Sequence, residues 1–175
     1  MERRIADAAE ISRMFTRMAH ELLELNHGPN QLVVLGIPTR GCAVASRLAE
    51  EIKKIEKVDV PVGTLDITMY RDDLRRHPTR EARRSDIPVD VNERVVVLAD
   101  DVLYSGRTVA SAFDALKDLG RPAAIRLVEL VDRGHHQLPI AADIVGKTVQ
   151  TAADEHVRVR LHETDGYDAI EIGRN

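Results

Sequence analysis

Hydrophobic positions follow two patterns along this chain, first the period of a helix and then short unbroken apolar runs. After Asp7, apolar residues recur at the three- and four-residue spacing of one helix face, and Glu10 follows three residues later as in a capping box. The pattern predicts a helix that ends near Asn26, before Gly28 and Pro29.

The apolar runs that follow are too short and too rich in β-branched residues for helices, so they predict buried strands. These strands are expected at residues 31–37, 94–99 and 123–131. A further strand is expected at residues 62–70, where side chains alternate between two faces. Helices are expected between them at residues 40–54 and 108–119. Because strands and helices alternate, we expect an α/β fold with a central, mainly parallel sheet flanked by helices. Shorter strands are expected near residues 144–145, 157–161 and 169–172.

Length and composition bound the kind of protein. The 175 residues suit one domain, 1–175, and the 43% of hydrophobic residues support an aliphatic core, since aromatics make up only 3%. The net charge of −4 does not indicate a nucleic-acid binder, so an RNA site must be a local basic patch. A lone cysteine, Cys42, excludes an intrachain disulfide. No long apolar run or signal peptide is found, which predicts a cytoplasmic protein without a membrane segment.

Residues 95–108, VVVLADDVLYSGRT, carry the clearest binding motif. The apolar run ends at Asp100 and Asp101, at the strand end where open parallel sheets bind ligands. A turn follows that combines hydroxyls, a glycine and an arginine: Tyr104, Ser105, Gly106, Arg107 and Thr108. Carboxylates suit ribose hydroxyls, and the N–H groups of a helix N-terminus suit a phosphate. The motif predicts a sugar-phosphate site; the alternative is an ordinary junction with Ser105 as the N-cap.

A second turn of this kind follows the strand at 31–37. Residues 36–41, GIPTRG, open a helix, so that Thr39 is placed to cap it and Arg40 to reach a pyrophosphate. The alternative is a tight turn with Arg40 in solvent. Two anion sites in one small sheet fit a ligand with a phosphate at one end and a pyrophosphate at the other. Phosphoribosyl pyrophosphate (PRPP) is one ligand of this form. Neither a Walker A ending nor a dinucleotide fingerprint is present.

Residues 71–92 have no sustained periodicity and hold six arginines: Arg71, Arg75, Arg76, Arg80, Arg83 and Arg84. A structureless loop of this length inside a compact domain is usually functional or disordered. The functional interpretation is a mobile lid whose arginines pair with phosphate oxygens. The alternative is a solvated surface loop.

These motifs resemble the PRPP-binding motif of the type I phosphoribosyltransferases. Nearly the whole chain resembles one family among them, the bifunctional pyrimidine operon regulators with uracil phosphoribosyltransferase activity (PyrR). The blocks that carry this resemblance are TRMAHE at 16–21, GIPTRG at 36–41, LDITMYRDDL at 65–74 and LVDRGH at 130–135. The resemblance implies a type I phosphoribosyltransferase fold with a flexible lid loop at about 71–92 and a small C-terminal hood at about 132–175.

The resemblance also implies a reaction in which uracil and PRPP give UMP and pyrophosphate, with Mg²⁺ bound through PRPP. Asp100 and Asp101 would hold the ribose hydroxyls, with one of them reaching the metal through water. Arg40 and Arg71 would neutralise the leaving pyrophosphate, and the 104–108 turn would bind the phosphate. The uracil site is implied at three consecutive residues, Val131, Asp132 and Arg133.

Members of this family bind pyr messenger RNA, and UMP tunes that affinity. The RNA-binding positions that the resemblance implies are Thr16, Arg17, His20, His135, Lys147 and Thr151. Such side chains can contact phosphates and 2′-hydroxyls, although Arg17 and His20 equally suit a solvated helix face. The chain departs from the family at His136 and Ala141, where arginines are usual, and each lost phosphate contact weakens RNA binding. A homo-oligomer, dimeric or larger, is also implied.

Three functions stay open from the sequence. The first is an enzyme that is also an RNA-binding regulator of pyr operon expression. The second is a salvage phosphoribosyltransferase alone, acting on uracil or on a purine base. The third is a nucleotide-sensing regulator with little catalysis.

Overall fold

Two sheets organise the chain in the computed structural model, which describes residues 2–76 and 84–174. The larger sheet has five parallel strands in the spatial order β3-β2-β4-β5-β6, namely β2 (Leu32–Gly36), β3 (Val62–Thr64), β4 (Val95–Leu103), β5 (Ala124–Asp132) and β6 (Ile144–Thr148). The smaller antiparallel sheet has the order β1-β8-β7, with β1 (Arg3–Ala6), β7 (Glu155–Arg160) and β8 (Ala169–Arg174). The expected α/β class with a parallel central sheet is confirmed.

Helices pack on both faces of the parallel sheet. α1 (Ala8–Leu25) and α2 (Arg40–Glu56) lie on one face and α3 (Arg107–Leu119) on the other. A short helix, α4 (His162–Asp165), precedes β8, and a 3₁₀ turn spans Thr68–Tyr70. The predicted capping box starts α1, because the Glu10 N–H donates to Asp7 Oδ1 and the Asp7 N–H donates to Glu10 Oε2, each at 2.9 Å.

The hydrophobic core has two layers, one on each side of the parallel sheet. Val97 of β4 belongs to the layer under α1 and α2, together with Phe15. Val96, its neighbour, belongs to the layer under α3, together with Leu116. Since adjacent strand residues face opposite sides, the apolar run of β4 fills both layers, as expected for a strand buried on both faces.

Strand β3 is shorter than the predicted strand at 62–70. After Thr64 the chain leaves the sheet, and Asp66 Oδ1 accepts hydrogen bonds from the Thr68 N–H at 2.9 Å and from the Thr68 hydroxyl at 2.6 Å. An aspartate that bonds the backbone two residues ahead forms a turn that competes with the strand. The alternating pattern continues through this turn, so periodicity alone could not locate the end of the strand.

Strand β4 is longer than the predicted strand at 94–99. It pairs in register with β5 as far as Leu103 opposite Asp132, so that Asp100 and Asp101 lie inside the strand. The paired acids interrupt the apolar pattern, which made the strand appear to end at Ala99. The partner strand supplies the hydrogen bonds that carry β4 four residues further.

The antiparallel sheet, here called the hood sheet (β1, β7 and β8), draws on both ends of the chain. Within 132–175, β6 instead belongs to the parallel sheet. Arg47 of α2 fastens the hood sheet region to the core through ion pairs to Glu163 at 2.6 Å and Asp168 at 2.7 Å, and its guanidinium lies 5.6 Å from the Phe15 ring centre. The side chain of Arg47 is only 19% exposed, so these pairs are partly shielded from water.

The proposed lid region is described in two pieces, 71–76 and 84–92. Residues 77–83, which include Arg80 and Arg83, lie outside the described residues. Asp86 forms an antiparallel bridge to Thr64, with both backbone hydrogen bonds at 2.8 Å, and Val91 is buried. The second piece therefore packs along the edge strand β3.

Candidate functional site

The 104–108 turn connects β4 to α3 at the carboxyl edge of the parallel sheet. Gly106 has a left-handed backbone (φ 88°) and occupies the N-cap position, so α3 begins at Arg107, one residue before the predicted start. The Ser105 hydroxyl accepts from the Arg107 N–H at 3.3 Å, and the Ser105 carbonyl accepts from the Gln137 N–H at 2.9 Å. The alternative in which Ser105 is the N-cap is wrong, because a glycine takes that position.

A cavity of about 680 Å³ opens over this turn. It is bounded by the 104–108 turn, by the ends of β4 and β5 and by the first piece of the lid region. Its lining includes the expected site residues Arg71, Asp100, Tyr104, Ser105, Gly106, Arg107 and Thr108. The cavity thus brings together one of the paired acids, the 104–108 turn and Arg71 of the 71–76 segment.

Two arginines of this cavity are held by acids of the lid region. Arg107 Nη1 donates to Asp72 Oδ2 at 2.7 Å, and Arg71 Nε donates to Asp73 Oδ1 at 2.9 Å. The hydrogen bond to Asp73 raises the pKa of the Arg71 guanidinium. A phosphate that binds either arginine would have to displace the carboxylate that the arginine already binds.

Asp100 and Asp101 face opposite sides of the sheet, as successive strand residues must. Asp100 lines the 680 Å³ cavity, whereas Asp101 lines a smaller one of about 200 Å³ with Arg40 and residues 157–160 of β7. Burial, together with the charge of Asp101, raises the pKa of the Asp100 carboxyl well above its ordinary value. The paired acids therefore serve two neighbouring cavities.

The sequence interpretation missed Glu129, which lies on β5 directly opposite Asp100. Its side chain is fully buried yet lines the 680 Å³ cavity, and neither carboxylate oxygen has a hydrogen-bond partner within the described residues. Burial raises the pKa of Glu129 well above its ordinary value, and the charges of Asp100, Asp101 and Asp132 raise it further. The available signal was one glutamate inside the apolar run LVELV at 127–131.

The 36–41 turn follows β2 and leads into α2. Gly41 is in contact with β4, since a Cβ there would lie 2.6 Å from the Ala99 carbonyl oxygen and 3.1 Å from Asp100 Oδ1. Thr39 takes the N-cap position of α2, but its side chain makes no capping hydrogen bond, so capping by its hydroxyl is wrong. The peptide between Pro38 and Thr39 is cis.

Arg40 is neither in solvent nor free. Its Nε and Nη2 donate to the two carboxylate oxygens of Asp165, at 3.0 and 2.8 Å. The Arg40 hydrogen bond lowers the pKa of Asp165 to about 2. Asp165 also accepts from the Leu161 N–H at 2.9 Å, so the residues after β7 fix the position of Arg40.

A third cavity, of about 390 Å³, lies at the ends of β5 and β6 and is lined by residues 132–136 and 148–151. The Val131 side chain is fully buried in the core, so the uracil position expected there depends on the residues that follow it. Asp132 Oδ1 accepts from the Gly134 N–H at 2.9 Å and lies 2.9 Å from His136 Nε2. Arg133 stacks 4.2 Å over the Tyr104 ring, linking this cavity to the 104–108 turn.

The expected RNA-binding residues fall into two groups. Thr16, Arg17 and His20 are exposed on α1, which packs against β6, the strand that carries Lys147. Arg17 already pairs with Glu21 at 2.9 Å and donates to two carbonyls of β6. The second group lines the 390 Å³ cavity, where His135 Nε2 donates to the Thr151 carbonyl at 2.7 Å. Ala141 is exposed.

Among residues 2–76 and 84–174, no helix is long and apolar enough to cross a membrane.

Residues 3–164 match the family described as Phosphoribosyl transferase domain. The chain is 52% identical to the bifunctional protein PyrR of Streptomyces coelicolor, over 98% of this chain and 89% of that protein. It is 54% identical to the bifunctional protein PyrR of a Roseiflexus species, over 94% of this chain and 91% of that protein.

Solved structures of other enzymes share the fold. The hypoxanthine phosphoribosyltransferase of Trypanosoma cruzi superposes with a TM-score of 0.74 at 16% identity, over 98% of this chain and 96% of that one. That of Staphylococcus aureus gives a TM-score of 0.72 at 20% identity, over 96% and 90%. At this identity the likeness concerns the fold alone, and it confirms the type I phosphoribosyltransferase fold.

Proposed function

The chain belongs to the phosphoribosyl transferase family, in its group of bifunctional PyrR proteins, and on this basis we propose two activities for it. The first is the transfer of a phosphoribosyl group from PRPP to uracil, which gives UMP and pyrophosphate. The second is pyrimidine-responsive control of pyr operon expression through the leader of the messenger RNA. The observation that carries the proposal is identity of 52% to a bifunctional PyrR protein over 98% of this chain.

The two turns at the sheet edge support PRPP as the substrate. The 104–108 turn offers hydroxyls and the N-terminus of α3 to the 5′-phosphate, while the 36–41 turn offers Arg40 and the N-terminus of α2 to the pyrophosphate. Asp100 lies beside the first turn and Asp101 lines the cavity of Arg40, and in this proposal each accepts a hydrogen bond from the ribose hydroxyl nearest to it. One rigid sheet edge thereby orients both ends of the sugar.

The chemistry follows from this placement. The C1–O bond to pyrophosphate breaks through a state with positive charge on the sugar ring, so the protein acts by positioning and by stabilising charge. Arg40 and Arg71 stabilise the departing pyrophosphate. Asp101 lines the smaller cavity together with Arg40, and in this proposal its charge stabilises the cation that forms on the sugar ring.

Mg²⁺ fits the residues of this site. Asp100 and Glu129 are buried carboxyl groups at the cavity, and Glu129 has no protein partner within the described residues. Oxygen ligands of this kind, completed by water and phosphate oxygens, are those that Mg²⁺ prefers. When bound with PRPP, the metal supplies positive charge that stabilises the leaving pyrophosphate.

We assign uracil to the 390 Å³ cavity, which is linked to the 104–108 turn by Arg133 and Tyr104. The backbone of residues 132–134 borders this cavity and offers amide and carbonyl groups to the edge of the base. Arg133 donates a hydrogen bond to the Glu155 carbonyl at 2.6 Å and stacks on Tyr104. In this proposal its side chain separates the base from the sugar.

A panel of bases incubated with PRPP and Mg²⁺ tests the enzymatic half. We expect UMP from uracil and no comparable nucleotide formation from hypoxanthine, guanine or xanthine. Conversion of a purine base alone would favour a salvage enzyme of other specificity. No product from any base would overturn the enzyme and leave a nucleotide-sensing regulator.

A leader-RNA titration tests the regulatory half. We expect the chain to bind the leader transcript of its own pyr operon tightly, with affinity raised by UMP and with a log–log salt slope set by its phosphate contacts. The double variant Lys147→Ala with His20→Ala should weaken binding, whereas Lys57→Ala, in the left-handed C-cap of α2, should not. Weak binding that does not distinguish this leader from unrelated RNA would reject regulation and leave the enzyme alone.

We also infer a homo-oligomer, dimeric or larger, that acts in the cytoplasm, where PRPP and the messenger are present. A second copy would extend the RNA-binding surface beyond the few basic residues of one chain. Sedimentation at micromolar concentration tests the assembly, and a monomer throughout would contradict it.

A further inference from the structure

His136 lines the 390 Å³ cavity, and the reaction described above gives it no role. Its ring Nε2 lies 2.9 Å from Asp132 Oδ1, and the two side chains are 27% and 17% exposed. An ionised carboxylate can only accept hydrogen bonds, so the ring N–H donates. The imidazole is therefore directed to the acid at the end of β5, and the contact is partly shielded from water.

The backbone on both sides of His136 is held in place. Before it, Gly134 and His135 have left-handed backbones (φ 72° and 57°), which turn the chain back towards the end of β5. After it, the Gln137 N–H donates to the Ser105 carbonyl at 2.9 Å. Because the segment is already ordered, holding the imidazole on Asp132 costs little further conformational entropy.

The Asp132 carboxylate is fixed through one oxygen only. Oδ1 accepts both the Gly134 N–H, at 2.9 Å, and the His136 ring N–H. Within residues 2–76 and 84–174, Oδ2 has no hydrogen-bond donor, although Asp132 lines the cavity. Two donors on Oδ1 restrict rotation of the carboxylate, so Oδ2 is a charged acceptor whose position is set before a ligand binds.

The other basic side chains of this cavity are directed elsewhere. Arg133 and His135 donate to backbone carbonyls, at 2.6 and 2.7 Å. Among the described residues that line the cavity, Asp132 is the one carboxylate and His136 is the basic side chain that contacts it. The orientation of this acid therefore depends on His136 and on the Gly134 turn.

We propose that His136 is a positioning residue for the base: its ring N–H holds the Asp132 carboxylate so that Oδ2 accepts the imide N–H of uracil. The inference rests on the proposed function and names the group that reads the base. Uracil carries an N–H between its two carbonyls, whereas cytosine has an unprotonated nitrogen at that place, which a carboxylate repels. A site whose polar group is left unpaired by the wrong ligand discriminates strongly against it.

Calorimetric titration of the full chain with UMP, CMP and ribose 5-phosphate tests the proposal. We expect the parent to bind UMP at least about tenfold more tightly than CMP, on the scale of one hydrogen bond to a charged group. His136→Ala should weaken UMP by about tenfold and narrow its preference over CMP, with ribose 5-phosphate unchanged. His136→Gln, whose side-chain amide can donate from a similar place, should restore most of the UMP affinity. His162→Ala, at an exposed histidine of α4, is the matched control.

Steady-state kinetics separate positioning from a general loss of structure. In His136→Ala the KM for uracil should rise by about the same factor as the UMP affinity falls, while the KM for PRPP and the Tm stay near those of the parent. Asp132→Asn, which removes the charge of the acceptor, should also narrow the preference for UMP over CMP, and it provides the test if His136→Ala does not fold.

The outcomes distinguish this proposal from the proposed function. UMP formation by the parent together with an unchanged preference for UMP over CMP in His136→Ala would overturn the role of His136 alone. So would equal losses of UMP and ribose 5-phosphate affinity, or no recovery in His136→Gln. A parent that neither binds nor forms UMP would overturn the proposed function, and this inference with it.

Discussion

The two strand-to-helix turns have similar sequences, but the arginines they carry form ion pairs in different environments. Arg107 of the 104–108 turn pairs with Asp72 of the lid region, and the two side chains are 49% and 54% exposed. Arg40 of the 36–41 turn pairs with Asp165 beside the hood sheet, and these side chains are 30% and 9% exposed. Arg107 is held by a partner that is exposed to water, and Arg40 by a partner that is largely shielded from it.

This difference predicts different behaviour towards ligands. An exposed ion pair contributes little free energy, so a phosphate can readily take the place of Asp72 on Arg107. A shielded bidentate pair is harder to exchange, so Asp165 is expected to stay on Arg40 and fix its direction while a pyrophosphate binds the remaining donors. The 104–108 turn is thus a site of exchange, and the 36–41 turn is a prepositioned one.

The largest expected effect comes from the acid on the Arg40 side. Asp101→Asn removes a negative charge that stabilises the sugar cation, so turnover should fall by about 100-fold or more while the fold stays intact. Steady-state UMP formation and circular dichroism measure the two quantities. Asp59→Asn, with an 82% exposed side chain, is the control that should retain full turnover. Unchanged turnover in Asp101→Asn would remove this residue from the catalytic machinery.

The next effect concerns the anchor of the hood sheet. Arg47→Met removes the ion pairs to Glu163 and Asp168 and leaves their charges unpartnered, so the free energy of unfolding should fall by about 2 kcal/mol. Urea unfolding measures this, with the exposed Arg13→Met as control. The variant should also weaken pyrophosphate binding more than ribose 5-phosphate binding. Equal losses for both ligands would show that the two turns do not differ in their dependence on the hood sheet.

Low pH should weaken the ion pair between Arg40 and Asp165. The pKa of Asp165 is about 2 in the fold against an ordinary 3.8, so its pair with Arg40 contributes stability that is complete above about pH 4 and is lost as the pH falls towards 2. Unfolding free energies between pH 5 and pH 2 should therefore fall more steeply for the parent than for Asp165→Asn. Parallel slopes would contradict the role given to this pair.

The smallest effect concerns the exchangeable partner. Asp72→Asn frees the Arg107 fork, so affinity for ribose 5-phosphate should rise by about threefold, the scale expected of an exposed ion pair. Calorimetric titration measures it, and Asp114→Asn, an exposed acid further along α3, should have no effect. A lower affinity in Asp72→Asn would show that Asp72 assists the phosphate rather than competing with it.

The sequence was most informative where local chemistry decides the structure. The capping box at Asp7 placed the start of α1, and the two turns followed from strands that run directly into helices. Strand ends were less predictable, because β4 is extended by its neighbour and β3 is cut short by the Asp66 turn. Both outcomes depend on hydrogen bonds that apolar patterning does not encode.

The site was predictable in its residues but not in their grouping. Because β4 includes both Asp100 and Asp101, their side chains face opposite sides of the sheet and line different cavities. A strand that ended at Ala99 would not have required this separation. The position of Glu129 in the site could not be predicted from the sequence, because it depends on the pairing of β5 with β4. In that pairing Glu129 lies opposite Asp100, 29 positions earlier in the chain. The partners of Arg40 and Arg107 likewise come from distant segments.

The central claim is that the two turns bind the two ends of one ligand, and paired binding measurements test it most directly. Affinities for ribose 5-phosphate and for Mg²⁺-pyrophosphate should be measured for the parent, Arg107→Ala and Arg40→Ala. We predict a crossed pattern in which Arg107→Ala weakens only ribose 5-phosphate and Arg40→Ala only pyrophosphate, each by about tenfold, as for the loss of one charge-assisted hydrogen bond. If both variants weaken the same ligand and spare the other, the division of the site between the two turns is wrong.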